Sequence, residues 1–343
     1  MLIPTFGRAA KLGRCLERLA RQQTGTLWFE VLVGVDGEDQ QEAADAAHEM
    51  AARTAGSMRC QVCMFTHGGP GATRNRLAER ASGRLLLMLN DDVLPEPDLV
   101  LRHAQAQAEW RTQRGGAALI VGAAPWVVPS DDTVIDRMVR ETSMVFFYDR
   151  MDAAGRDRDR DWGFRHAWTL NLSVEKSVFA ASGGFCERLD RPMYEDLEWA
   201  YRVCGGGGRG LKPAEAAAVV YRPEAAARHD HRVTASSYLE RERTMGRAAW
   251  GLAEANPECA AAVFGRDVRS AEEIAYSRAF VARERHSADA ARATFEALGR
   301  MPAGAVAGDH APVLLRALYE QHLPVKRWEW RSGLLEEADR SPR

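Results

Sequence analysis

Four short stretches gather the residues able to do chemistry. They are Asp36 in "GVDGE", Asn90, Asp91 and Asp92 in "LNDDVLPEP", Glu195 and Asp196 in "MYEDLEW", and His229 and His231 in "ARHDHRV". Adjacent carboxylates repel, and more so in a dry site, unless a cation lies between them and a third partner. Hard oxygen donors of this kind suit Mg²⁺ or Mn²⁺ held together with substrate phosphates. The simpler use of the same residues is a turn in which Asp91 or Asp92 caps the helix opening at "PEPDL". Glu195 and Asp196 stand in the first turn of a helix, where acidic groups oppose the helix dipole favourably. A general base aimed into a cleft has the same placement. Two histidines alternating on an extended segment share a face and could approach one metal, although such a triplet also serves as a polar loop.

The elements that must carry these residues follow from the hydrophobic pattern. "MLIPTF", "EVLVGVD", "CQVCMF", "RLLLML" and "AALIVGA" read as strands, separated by helices in "AAKLGRCLERLARQQ", "QEAADAAHEMAAR", "ATRNRLAERA" and "DLVLRHAQAQAEW". Strands alternating with crossover helices predict a mainly parallel sheet covered on both faces, an α/β fold. In such sheets ligands bind beyond the carboxyl ends of the strands, where the strand order switches. Pro4 to Phe6, Asp36, the "HGGPG" turn ending at Gly71, and Asn90 to Asp92 all fall at such ends. After about residue 125 the rhythm changes. "WTLNLSV" and "AAAVVYRP" read as strands, and "YEDLEWAYRVC" as a helix burying Leu197, Ala200, Tyr201 and Cys204, stopped by "GGGG". The glycine run is not followed by the Lys-Ser or Lys-Thr of a phosphate loop. From about Ser236 the pattern is helical. The expected division is residues 1–235, with halves 1–125 and 126–235, and a helical extension over 236–343.

The chain has 343 residues, with 46 basic against 48 acidic, a balance that gives no electrostatic case for nucleic acid or an anionic membrane as main partner. The amino terminus shows no basic segment leading into an apolar one, so a cytoplasmic protein is expected, at most peripheral to the inner membrane. Cys60 and Cys63 match C-x-x-C but lie in a predicted strand, where residues three apart face opposite ways; reduced cysteines are expected.

Taken in order, these motifs resemble glycosyltransferase family 2, inverting nucleotide-sugar enzymes of the GT-A fold, over about residues 2–235. "IPTFGR" is similar to the family's first strand end, and "GVDGE" keeps the second acidic position of its second, Asp36. "GGPGATRNRLAERASG" resembles its third block. "LNDDVLP" resembles its acidic triplet with Asn90 in place of the first acid, and "GGFCERLDRPMYEDLEWAYR" its GGF…ED…R block with Cys186 in place of an acid.

The resemblance implies a GT-A fold, a Rossmann-like, mainly parallel sheet flanked by helices, with a C-terminal helical extension. It implies a hexosyltransferase of bacterial cell-surface polysaccharide synthesis. Such an enzyme moves a sugar from a nucleoside-diphosphate donor, typically UDP, to a glycan, lipid-linked or protein acceptor. Asp196 would be the general base. Asp92 with His229 or His231 would bind a divalent metal, Mn²⁺ or Mg²⁺. Pro4, Thr5, Phe6, Arg8, Asp36, Gly71, Arg74, Asn75, Asn90, Asp91, Asn171, Gly184 and Glu195 would line the substrate site. Trp162, Phe164 and Trp168 could stack on the acceptor or pack under a loop, and "AAGRDRDRDWGFRH" is a candidate lid. "KRWEW" is similar to the Arg-Trp of processive synthases, but the preceding glutamine has the wrong spacing. Its helix is expected to pack on the catalytic domain instead of touching membrane. A nucleotidyltransferase would share the sheet but normally carries a glycine-rich basic loop after strand one, which "IPTFGRAAKLGR" lacks. A binding protein that has lost catalysis is the third alternative, kept open by the altered "LNDD".

Overall fold

A computed structural model describes residues 1–54, 56, 58–153, 157–191, 193–206 and 215–341. Two compact units are present, Met1–Val127 with Gly155–His231, and Val128–Ala154 with Arg232–Arg343.

The first unit is built on strands β1 (Leu2–Thr5), β2 (Glu30–Asp36), β3 (Arg59–Phe65) and β4 (Leu85–Leu89). Between and after them run α1 (Ala9–Leu19), α2 (Gln41–Arg53), α3 (Gly69–Arg80), the short β5 (Val93–Pro95) and α4 (Leu99–Arg114). Next comes β6 (Ala118–Gly122). The apolar runs explain the strands: every residue of β1, β2 and β6 is buried, as a strand covered on both faces requires. Helix α1 turns Leu12, Cys15, Leu16 and Leu19 inward, and Gly115, at φ 73°, stops α4 in the left-handed conformation.

Helices α5 (Val134–Glu141) and α6 (Tyr148–Ala153) belong to the second unit. The chain then returns to the first unit with β7 (Asn171–Glu175), α7 (Lys176–Ala181), α8 (Glu195–Val203), β8 (Ala218–Arg222) and β9 (Ala227–His229). The sheet order is β3-β2-β1-β4-β7-β6-β8, and β7 alone runs antiparallel to its neighbours. The order switches between β1 and β4, so the carboxyl ends of β1, β2 and β4 open on one rim. Beside that rim β5 and β9 form a two-stranded antiparallel ribbon.

The second unit adds α9 (Ala235–Ala255), α10 (Pro257–Phe264), α11 (Ala271–Gly299) and α12 (Ala311–Arg340). Residues 128–154 group with these helices. Val134, Ile135, Met138 and Val139 form the buried face of α5, and Val134 donates its N–H to the carbonyl of Met301 at 2.9 Å. Helices α9 and α12 cross at glycines, since a Cβ on Gly246 or Gly333 would run into the carbonyl of Trp330 or Arg243. The tryptophans of "KRWEW" pack within this unit: Trp328 donates Nε1–H to the carbonyl of Val281 at 3.0 Å, and Trp330 lies 5.5 Å from the Phe264 ring. No described helix is long and apolar enough to cross a membrane.

Two local expectations are corrected. Helix α3 begins at Gly69, three residues before the expected Ala72, because Asp36 accepts the free N–H groups of Gly68 and Gly69 at 2.9 and 3.1 Å. Helix α8 buries Glu195, Glu198, Trp199, Ala200, Arg202 and Val203, leaving Leu197, Tyr201 and Cys204 half-buried. The inward polar groups satisfy each other: Arg202 forks onto Glu198 at 2.8 and 2.9 Å and donates to the carbonyls of Ser182 and Gly184. All six cysteines are free. The candidate lid and the "GGGG" run each extend beyond the described residues.

Candidate active site and metal centre

The carboxyl end of β4 delivers Asn90, Asp91 and Asp92 to the rim, with Asp91 and Asp92 both buried. Thr5, at the end of β1, donates its hydroxyl to Asp91 Oδ2 at 2.7 Å. Arg8, just before α1, spans both carboxylates, 3.0 Å from Asp91 and 2.5 Å from Asp92. Burial pushes the Asp91 carboxyl up to about 6, against the pull of Arg8.

The ribbon brings the histidines in. Val93 pairs with His229, so the residues just outside that pair, Asp92 and Asp230, also meet, and Asp230 donates its N–H to the Asp92 carbonyl at 2.7 Å. His229 Nε2 and His231 Nδ1 then stand 3.6 and 3.5 Å from the two Asp92 oxygens. One ligand atom from each of Asp92, His229 and His231 lies within 4.8 Å of the others. Burial opposes ionisation of Asp92, but the two imidazoles hold its carboxyl well below the usual range. One carboxylate with two imidazoles is a donor set that fits a divalent transition metal. Trp126 backs the cluster, its ring 4.2 Å from that of His229.

Glu195 and Asp196 open α8. Glu195 accepts the Met193 N–H at 2.8 Å, and Asp196 accepts those of Leu197, at 2.8 Å, and Thr169. Burial raises both carboxyls, and the Asp196 charge raises Glu195 further, while Arg74 opposes the rise. Four carboxyls (Asp91, Asp92, Glu195, Asp196) thus face two guanidiniums (Arg8, Arg74), an imbalance suited to a divalent cation.

The other expected site residues divide. Pro4 is buried in β1, and Phe6 projects at the rim, 50% exposed and 5.2 Å from the His67 ring. Asp36 also faces His67 Nδ1 at 3.0 Å. Gly71 lets α3 approach α8, since a Cβ there would lie 3.1 Å from that of Phe185 and 3.5 Å from that of Glu195. Three residues expected to touch substrate also make contacts within the protein. Asn75 exchanges hydrogen bonds with the backbone of Phe185 at 2.8 and 3.0 Å, and Gly184, at φ 68°, forms the turn beside it. Asn171 is fully buried, bonded to His103 at 2.9 Å and to the carbonyls of Ala123 and Ala225 at 3.0 and 2.8 Å. Of the aromatics, Trp168 is buried, whereas Trp162 and Phe164 stay half-exposed.

Lys11 and Arg14 join the site without having been expected. Lys11 donates to the Asp230 carbonyl at 2.7 Å and Arg14 pairs with its carboxylate at 2.6 Å, tying α1 to the histidine segment. Their signal was in the sequence: Arg8, Lys11 and Arg14 recur at helical spacing on one face.

Comparison with known proteins gives the following. Residues 1–156 match the family described as Glycosyl transferase family 2. A validoxylamine A glucosyltransferase from Streptomyces hygroscopicus subsp. jinggangensis is 28% identical over 225 residues, 60% of this chain and 51% of that protein. Its counterpart from Streptomyces hygroscopicus subsp. limoneus is 27% identical, over 60% of this chain and 48% of the relative. The chain therefore spans about half the length of the curated relatives it matches. Among solved structures, a mannosyltransferase from Pyrobaculum calidifontis, in complex with GDP-Man and Mn²⁺, covers 98% of this chain and 84% of its own at a TM-score of 0.53 and 14% identity, a likeness of fold.

Proposed function

Because the chain carries a glycosyltransferase family 2 domain, we propose that it transfers a sugar from a nucleoside-diphosphate donor to an acceptor hydroxyl, with metal assistance and inversion at the sugar carbon. The observation that carries this reading is the convergence of Asp92, His229 and His231 at the switch point of a mainly parallel sheet. The relatives that bear a glucosyltransferase name support the class of reaction, and the Mn²⁺ and GDP-Man of the mannosyltransferase complex support its two ligands.

Asp92, His229 and His231 would hold Mn²⁺ or Mg²⁺. When bound, a divalent ion supplies positive charge to the diphosphate as it leaves. Thr5 and Arg8 fix Asp91 beside this centre, and Asp91 orients the ribose end of the donor. Asp36, Pro4 and Phe6 lie on the side of the rim assigned to the base, for which uracil is the expected occupant. Asp196 removes the acceptor hydroxyl's proton as that oxygen attacks the sugar carbon from the face opposite the diphosphate, so the configuration inverts. Its two backbone hydrogen bonds fix the direction from which the proton is taken. Half-exposed Trp162 and Phe164 offer flat apolar faces to the acceptor.

The test is incubation with a panel of nucleotide sugars and Mn²⁺. Release of free nucleoside diphosphate supports the proposal. Release of pyrophosphate would mean nucleotidyl transfer, and no release across the panel would mean a binding protein.

A further inference from the structure

We propose that Arg74 is a positioning residue that joins the Asn90 end of β4 to the Glu195–Asp196 pair, and is not a ligand of the nucleotide. This deepens the proposed transferase reading and rests on it only for the role of Asp196. The guanidinium is 1% exposed, inside the face of α3 that also buries Thr73, Leu77 and Ala78. Its Nη2 donates to Asn90 Oδ1 at 2.8 Å, while Nη1 lies 3.9 Å from Glu195 Oε1. Nε and Nη1 are buried without a hydrogen-bond partner among the described residues. Phe185 closes one side, its ring centre 5.8 Å from the guanidinium carbon. A cation so enclosed cannot reach a rim-bound phosphate without leaving its pocket, whereas the two carboxyls of α8 stand next to it.

Asn90 then has a physical reason. A carboxylate at position 90 would take the guanidinium as its own counter-ion. The amide accepts one hydrogen bond and leaves the positive charge for Glu195 and Asp196 first, with Asp91 beyond them. Burial disfavours ionisation of both carboxyls, and Arg74 works against that burial. The groups facing the pair are Arg74 from α3, the N–H groups of Met193, Thr169 and Leu197, and each other. Beyond Arg74 stand Asp91 and Arg8. Among the described residues Arg74 is a cation that acts on both carboxyls, so it keeps a proton acceptor available at neutral pH.

The experiment is a carbon-13 carboxyl NMR titration of the full chain, with Glu195 and Asp196 assigned through E195Q and D196N. It is paired with calorimetric affinity for UDP in Mn²⁺. R74M is expected to move the titration of the pair upward by about one pH unit or more, the size of effect an adjacent opposite charge exerts. R74K should restore most of it, and UDP affinity should change less than threefold in both. N90D keeps Arg74 paired and buried, so it preserves the fold should R74M not, and it is expected to raise the titration in the same direction. A titration unmoved in N90D, or a tenfold loss of UDP affinity in R74M or R74K with an unmoved titration, overturns the proposal. These readouts need no turnover, so an inactive wild type would count against the transferase reading alone.

Discussion

Replacing Asp196 by asparagine should separate catalysis from stability in a way a merely structural carboxylate would not. Burial raises this carboxyl from its ordinary 3.8 to about 6. At about 1.36 kcal/mol per pH unit, holding it ionised costs the folded state about 3 kcal/mol at pH 8. Because the folded value lies above the unfolded one, the carboxyl's stabilising share is complete below about pH 4 and is lost as pH rises through about 6. Asparagine does not titrate, but its NH2 replaces an accepting carboxylate oxygen with a donor beside the N–H groups of Leu197 and Thr169, a loss of about 1 kcal/mol. Asp196→Asn is therefore expected to be more stable than wild type by about 2 kcal/mol at pH 8, with the gain gone at pH 4. Over the same substitution, transfer should fall by about 10²- to 10⁴-fold, the usual contribution of a general base. Urea unfolding at the two pH values, beside a nucleoside-diphosphate release assay, measures both. A variant that is destabilised at pH 8, or that turns over at near-normal rate, refutes the reasoning.

Arg8 neutralises Asp91 and Asp92 from a half-exposed position, its side chain 39% exposed, so the ~4 kcal/mol of a close charge pair is screened to about 1 kcal/mol. Arg8→Gln is expected to bind Mn²⁺ alone about fivefold more tightly by calorimetry; weaker binding would contradict the competition between the two cations. Gly246→Ala should cost the helical unit about 3 kcal/mol or more in urea unfolding, because its Cβ meets the Trp330 carbonyl, and an unchanged midpoint would contradict the α9–α12 crossing. Wild-type transfer should decline as pH falls through about 6 as Asp196 takes up a proton, and a flat profile down to pH 5 would exclude it as the base.

Much of the sheet was legible because its strands are continuous apolar runs: β2 and α2 occupy Glu30–Asp36 and Gln41–Arg53, where the hydrophobic pattern puts them. What escaped has identifiable causes. The β5–β9 ribbon is three residues on each side, too short for any period to show, yet it delivers both histidines to Asp92. The start of α3 depends on Asp36, more than thirty residues upstream, which no local capping rule detects. The buried face of α8 was misread because Glu198 and Arg202 look solvent-facing until Ser182 and Gly184 are seen to receive the arginine. Asn171 has the type of a ligand-binding residue and the position of a core one. Its bonds to His103 and to the carbonyls of Ala123 and Ala225, just past β6 and β8, come from distant parts of the chain that no local pattern shows.

The sharpest check on a metal-held donor at this rim is calorimetric binding of UDP to the wild-type chain and to Asp92→Ala, each with Mn²⁺ and with EDTA. The account predicts binding by the wild type in Mn²⁺ that weakens at least tenfold in EDTA and is equally weak for Asp92→Ala in both. Equal affinity with and without the metal, or an unaffected Asp92→Ala, would contradict it.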